Sequence, residues 1–233
     1  MIDWLEPNEW KAVALSMKVS LWATIISLPF GIFVAYALSR WEFRGKHVIN
    51  ALVHLPLILP PVVTGYLLLL TFGRRGFVGA WLEQNLGIVL AFRWTGAAVA
   101  AAIMAFPLLV RAIRLAIDAV DPKLEEAAET LGASPIRVFF TITLPLIRPG
   151  LIAGIVLTFA KAIGEFGATI TFVSNIPGET QTIPSAIYAF LQVPDGDIGA
   201  FRLTALAVII AISAVMVSEF IASRTQRRSH SSS

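Results

Sequence analysis

An all-α membrane protein, a bundle of about five transmembrane helices with one polar loop, is the fold class this sequence predicts. Three observations predict it. Of 233 residues, 57% are hydrophobic and only 14% charged, whereas soluble domains carry roughly a quarter charged residues. Stretches free of Asp, Glu, Lys and Arg recur at the length of about 20 residues that a helix needs to cross a hydrocarbon core. The charges collect between those stretches rather than within them.

The first span is 19–39, between Lys18 and Arg40, with a helix that can begin at Trp10. The second, 47–73, contains Pro56, Pro60 and Pro61, each of which removes a backbone donor and disturbs the helix. In a membrane such a backbone survives only where protein or water satisfies the freed carbonyls. This places the second span toward the bundle interior and a pathway, or else makes it a packing kink. The third span, 94–110, is short but extendable, and the fourth runs from Pro149 to about Phe172 with two ionisable residues inside. The last, 203–218, continues past Glu219 to Ala222. The apolar segment TIPSAIYAFLQV, 182–193, is too short to cross and reads as an external or re-entrant helix. One membrane domain over 1–223 is expected, with 224–233 a short disordered tail.

Lys and Arg are enriched in cytoplasmic loops. With the N-terminus outside and the C-terminus inside, segments 40–46, 111–148 and 224–228 hold 11 basic residues and the outer segments 6. Arg74 and Arg75 run against that bias. They are solvated loop charges, or they meet an oxyanion or an acidic partner. The acidic MIDWLEPNEWK start lacks the basic n-region of a signal peptide.

Several chemistries are excluded. No cysteine is present, so there is no disulfide framework, thiolate metal site or cysteine nucleophile. His47, His54 and His230 stand singly, which gives no metal site. No basic stripe suits nucleic acid. GKH at 45–47 fails the phosphate-loop pattern, so the chain supplies no ATP hydrolysis itself.

Residues 111–148 form the longest inner loop. Asp121 can cap a helix with Pro122 at its first position. Leu124, Ala127, Ala128 and Leu131 then fall on one face, and Gly132 suits the left-handed residue past the end. Ser134 and Pro135 open a second helix with Ile136, Phe139 and Phe140 on one face. Helices this short are marginal alone, so their apolar faces bury against the chain's own helices or against a soluble partner. Both readings are open on the residues alone.

The passage EEAAETLGASPIRVFFTITLP, 125–145, resembles the signature of ABC importer permeases: EAA, three residues, G, nine residues, I, one residue, LP. Glu126, Ala127, Ala128, Gly132, Ile142, Leu144 and Pro145 carry it. HLPLILPPVVTGYLLL (54–69), GRRGFVG (73–79) and GEFGATITFVSNIPGETQTIPSAIY (164–188) are similar to the molybdate/tungstate importer permeases, relatives of the sulfate permeases. Together these stretches cover most of 40–190.

The resemblance implies a subunit of the cytoplasmic (inner) membrane that binds no cofactor, driven by a separate ATP-binding cassette ATPase using ATP and Mg. In that family the loop docks into the ATPase through coupling helices, and an extracytoplasmic oxyanion-binding protein delivers substrate. Some members carry an additional N-terminal span. Nothing before Trp10 supplies one here, so the five-span core is expected.

Five spans are too few to enclose a pathway comfortably, so a homodimer about a two-fold axis is expected. The small residues at 96–102 and 150–154, with Ala160 and Gly164, suit close helix packing, within the chain or between subunits. Lys161 and Glu165 lie four apart in the fourth span and must pair or line a wet cavity. They form a structural ion pair, or Lys161, Gly164, Glu165, Phe166 and Gly167, with Pro60 and Pro61, mark a gate. A lone Glu without a nucleophile or second acid has no reaction to perform. A sulfate or thiosulfate permease and an ATP-independent secondary transporter are the alternatives.

Overall fold

Helix α1 (Pro7–Arg40) opens with Pro7 at its first position and a capping box in which Glu9 accepts from the Glu6 N–H at 2.6 Å. In the computed structural model, which describes residues 4–230, α1 runs three turns further toward the N-terminus than the apolar run requires. Its buried stripe is small and weakly polar: Ala12, Ser16, Val19, Ser20, Ala23, Thr24, Ser27, Gly31 and Ala35. The Ser20 and Thr24 hydroxyls donate to carbonyls four residues back, at 2.7 and 2.8 Å, so these two donors are met within the helix.

That neighbour is α5 (Trp94–Asp118), the bundle's central helix, packed on α1 along one side and on α9 (Arg148–Ile163) along another. Ala97, Ala100 and Ala101 are completely buried. A Cβ added to Gly31 would lie 2.6 Å from Leu109 Cδ2, and one on Gly150 would lie 2.3 Å from Ala116 Cβ. The glycines and alanines flagged at 96–102 and 150–154 therefore serve packing inside the chain.

The second span is broken. α2 (Lys46–Ile58) and α3 (Pro61–Phe72) meet at 114°, with Pro60 capping α3 and Pro61 at its first position. A short α4 (Phe77–Leu86), inside an expected loop, ends at Gly87 with φ +65°. The fourth span is also interrupted. α9 stops at Ile163, and α10 (Gly167–Val173) begins after a three-residue break and packs on α3 and α5. At its other end α9 meets the run 135–146 at 74°.

α11 (Ile183–Phe190) is the expected short helix, with a Thr182/Ser185 capping box. α12 (Asp197–His230) closes the chain. Helix α12 continues through 224–230, and 231–233 lie outside the described residues. Among the described residues, three helices are long and apolar enough to cross a membrane, and counting each bent pair as one span gives five.

Candidate functional site

The polar loop forms at the end of the bundle where α1 and α5 finish. In α6 (Pro122–Thr130), the Asp121 carboxylate accepts from the Lys123 N–H at 3.0 Å, and Pro122 takes the first position. Gly132 follows with φ +87°, a left-handed backbone that costs a residue with a Cβ but not glycine. α7 (Pro135–Val138) starts under Ser134, whose hydroxyl accepts from Arg137 N–H at 3.4 Å. The backbone then widens into a π turn, Phe139–Thr143, before α8 (Leu144–Leu146) leads into α9. Such turns are rare and cluster at functional sites. Nothing in the residue pattern announces this one.

Of the two readings left open for the short helices, the chain's own helices cover only part of the apolar face. The apolar face points outward: Leu131 is 88% exposed, Ile136 73%, Phe140 61% and Leu124 49%. Glu126, Ala127 and Gly132 are exposed, while Ala128, Ile142, Leu144 and Pro145 are half-buried. Phe139 packs edge-on against Tyr36 of α1, centroids 5.3 Å apart. The buried side carries Glu125, Val138, Thr143 and Ile147.

Glu125 holds the loop to the bundle. Its Oε2 accepts from Arg40 Nε at 2.7 Å, and its Oε1 accepts from Thr143 Oγ1 at 2.5 Å. Arg40, the last residue of α1, also donates through Nη2 to the carbonyls of Ile117 and Val120 at 3.1 and 3.0 Å. One guanidinium thus joins α1, the end of α5 and the polar loop. Sequence reading singled out Glu126 and treated Arg40 only as a span boundary. A contact across 85 positions leaves no local spacing signal.

A second constellation sits at the break in the fourth span. Lys161 Nζ and Glu165 Oε2 are 2.7 Å apart, with Glu165 2% exposed. Glu165 Oε1 also accepts from the Ala168 N–H at 3.0 Å, so the carboxylate satisfies a free donor at the start of α10 while neutralising Lys161. The pairing expected from their spacing is present, although the helix ends between the partners. Gly167 faces Pro61 so closely that an added Cβ would lie 2.7 Å from the proline Cβ, whereas one on Gly164 would meet only the Ala160 and Lys161 carbonyls at 3.8 and 4.0 Å. Phe166 packs on Tyr188 at 5.3 Å. Lys161, Glu165, Gly167 and Pro61 therefore gather where both broken spans touch. Pro60 and Pro61 remain exposed.

Of the loop cations, Arg74 lies 3.8 Å from Glu83 and lines, with Lys18, Arg93 and Glu179, a cavity of about 830 Å³. His54 bonds the Asn50 carbonyl, as a packing residue would. A further charged cluster, around the buried Glu9, was invisible in the sequence. Arg202 Nη2 of α12 reaches Glu9 at 2.8 Å and Glu6 at 3.2 Å, tying the first and last helices together.

The chain matches the family model for the binding-protein-dependent transport system inner membrane component over residues 27–229. It is 58% identical over 224 residues to the molybdenum transport system permease protein ModB of Escherichia coli (strain K12), covering 96% of this chain and 98% of that one. It is 36% identical over 186 residues to the E. coli (strain K12) sulfate transport system permease protein CysT, covering 80% of this chain and 67% of that one. Among solved structures, a bacterial ABC transporter that imports the acidic polysaccharide alginate superimposes with a TM-score of 0.74 at 19% identity, covering 94% of this chain and 80% of that one. The chain belongs to the family of binding-protein-dependent transport system inner membrane components. It is a multi-pass membrane transport subunit rather than an enzyme.

Proposed function

We propose that this chain forms the translocation pathway of an ABC importer for molybdate, or the similar tungstate, and that a separate ATPase subunit drives it. The observation that carries this reading is the exposed apolar face of the polar loop. Leu124, Leu131, Ile136 and Phe140 lie outward on a loop otherwise fastened to the bundle, and a face of this kind marks a protein contact. The seven signature positions, Glu126, Ala127, Ala128, Gly132, Ile142, Leu144 and Pro145, run along the same loop, from α6 through the π turn into α8. In our reading they form the coupling surface, with Gly132 as the joint and Glu126 as a polar contact to the ATPase, which uses ATP and Mg.

Substrate follows from relatedness: identity to the molybdenum permease is well above that to the sulfate permease. The loop end faces the cytoplasm and the N-terminus the outside, in keeping with the basic-residue bias. The Lys18, Arg74 and Arg93 cavity then opens outside, where cations favour an approaching oxyanion brought by a binding protein. Pro60 and Pro61 expose a broken backbone that lipid does not tolerate. A second copy about a two-fold axis would cover it and leave the pathway between them. In that arrangement Lys161, Gly164, Glu165, Phe166 and Gly167, with Pro60 and Pro61, form the gate.

Elemental analysis of cells with and without the chain tests the substrate. Molybdenum or tungsten accumulation should fall when it is absent, and unchanged accumulation of both overturns the assignment. The purified protein should also bring down an ATPase, with replacement of Glu126 and Gly132 abolishing that recovery.

A further inference from the structure

Helix α6 makes its main helix contacts with α7 and the π turn rather than with a spanning helix. Its polar link to the bundle is Glu125, whose side chain is 11% exposed and paired with an Arg40 side chain 16% exposed. We propose that Arg40 and Glu125, with Thr143, are positioning residues that transmit movement of the polar loop to the spanning helices. This rests on the transport reading above.

The geometry is that of a four-way junction. Arg40 ends α1 and donates to the carbonyl of Ile117, in the last turn of α5, and to that of Val120, two residues past it, at the negative end of that helix, where a cation is favoured. The same guanidinium holds Glu125 of α6. Glu125 in turn accepts from Thr143, the last residue of the π turn that leads through α8 into α9. A displacement of α6 therefore reaches α1 and α5 through one carboxylate oxygen and the α8–α9 run through the other.

Only a forked donor makes this junction. Arginine offers several N–H groups in a fixed plane, whereas lysine is a flexible point charge. Two other features distinguish the junction from a surface ion pair. Both partners are largely shielded from water, so the pair is less screened than an exposed one. Every charged oxygen also has a dedicated donor, so an alternative loop position would leave a carboxylate unpaired. The exposed face of α6 receives a partner, and its buried face passes the displacement on.

The test uses the full complex of this chain with its ATPase and binding protein in lipid vesicles, measuring molybdate uptake and ATP hydrolysis together. Glu125→Gln removes the charge but keeps the shape, Arg40→Lys keeps the charge but removes the fork, and Thr143→Val removes one hydrogen bond. Uptake per ATP hydrolysed should fall roughly tenfold for the first two and about threefold for the third, with hydrolysis and recovery of the complex kept within about twofold. A fastening that only stabilises the fold would lower uptake, hydrolysis and recovery together. That pattern in all three variants, or an unchanged ratio, overturns the proposal. If Glu125→Gln and Arg40→Lys do not assemble, Thr143→Val decides alone, and an unchanged ratio there is fatal. A wild-type complex that takes up no molybdate with ATP would instead sink the transport reading.

Discussion

Glu125 and Glu165 invite comparison. Each is a buried carboxylate, each pairs with a cation at 2.7 Å, and each spends its second oxygen on a further donor. They differ in reach. Glu165 pairs with Lys161 four residues back and caps Ala168 three residues on, so it organises a single break in one span. Glu125 reaches Arg40 across 85 positions and Thr143 across 18, so it joins elements that share no local backbone. The first pair shapes a turn, and the second connects helices far apart in the sequence.

The largest expected effect breaks the local pair. Lys161→Met leaves the Glu165 carboxylate buried with only the Ala168 N–H, which should cost about 3 kcal/mol and lower the thermal midpoint of the purified complex. Adding Glu165→Gln, whose carbonyl can still accept from Ala168, should recover most of that loss. A double variant no more stable than the single would show that the pair is not coupled.

Next in size is the contact beneath the break. Gly167→Ala drives a methyl into Pro61, a clash expected to cost about 1–3 kcal/mol. Gly164→Ala, three residues away and with only ordinary van der Waals contacts for a methyl, should stay within about 0.5 kcal/mol. Equal midpoints for these two variants would refute the packing described for the site where α3 meets α10.

A smaller effect sharpens the Glu125 side. Asp121→Ala removes the α6 cap and should cost about 1 kcal/mol of local stability, read as faster amide hydrogen exchange over 121–131. Ser134→Ala, whose bond to Arg137 is 3.4 Å long, should change exchange less.

The smallest effect is a control. The hydrogen bond from Lys46, with its charge, holds the exposed Glu42 carboxyl below its usual range. A lowered pKa gives stabilisation that is present above the ordinary carboxylate range and lost as pH falls through the lowered value. Because the pair is solvated, Glu42→Gln should lower the midpoint at neutral pH only marginally, with a correspondingly slight flattening of the decline on acidification.

How much of this was legible follows the same division between local and long-range. Apolar runs, prolines and glycines act within a few residues, so the helical class, the break at Pro60 and the left-handed Gly132 could be read from the sequence. So could the Lys161–Glu165 pair, whose spacing is a local property. Arg40–Glu125 and Arg202–Glu9 could not, because tertiary packing alone decides which distant charges meet. The stripe on α6 was a partial success. Periodicity identified Leu124 and Leu131 as one face, but an amphipathic pattern does not say what covers that face, and the chain itself leaves it bare. The π turn at Phe139–Thr143 has no composition signal of its own.

The separation of Arg40 from its partner also bears on how the protein is made. At a synthesis rate of roughly 5–20 residues per second, Glu125 follows Arg40 by roughly 4–17 seconds, since 85 positions lie between them. During that interval the arginine is an unclaimed positive charge at the end of the first span. In the proposed orientation, such a charge retains its end of the helix on the cytoplasmic side during insertion. In that orientation the residue would serve twice in succession, first as a topology signal for the nascent chain and then as the tether of the finished loop.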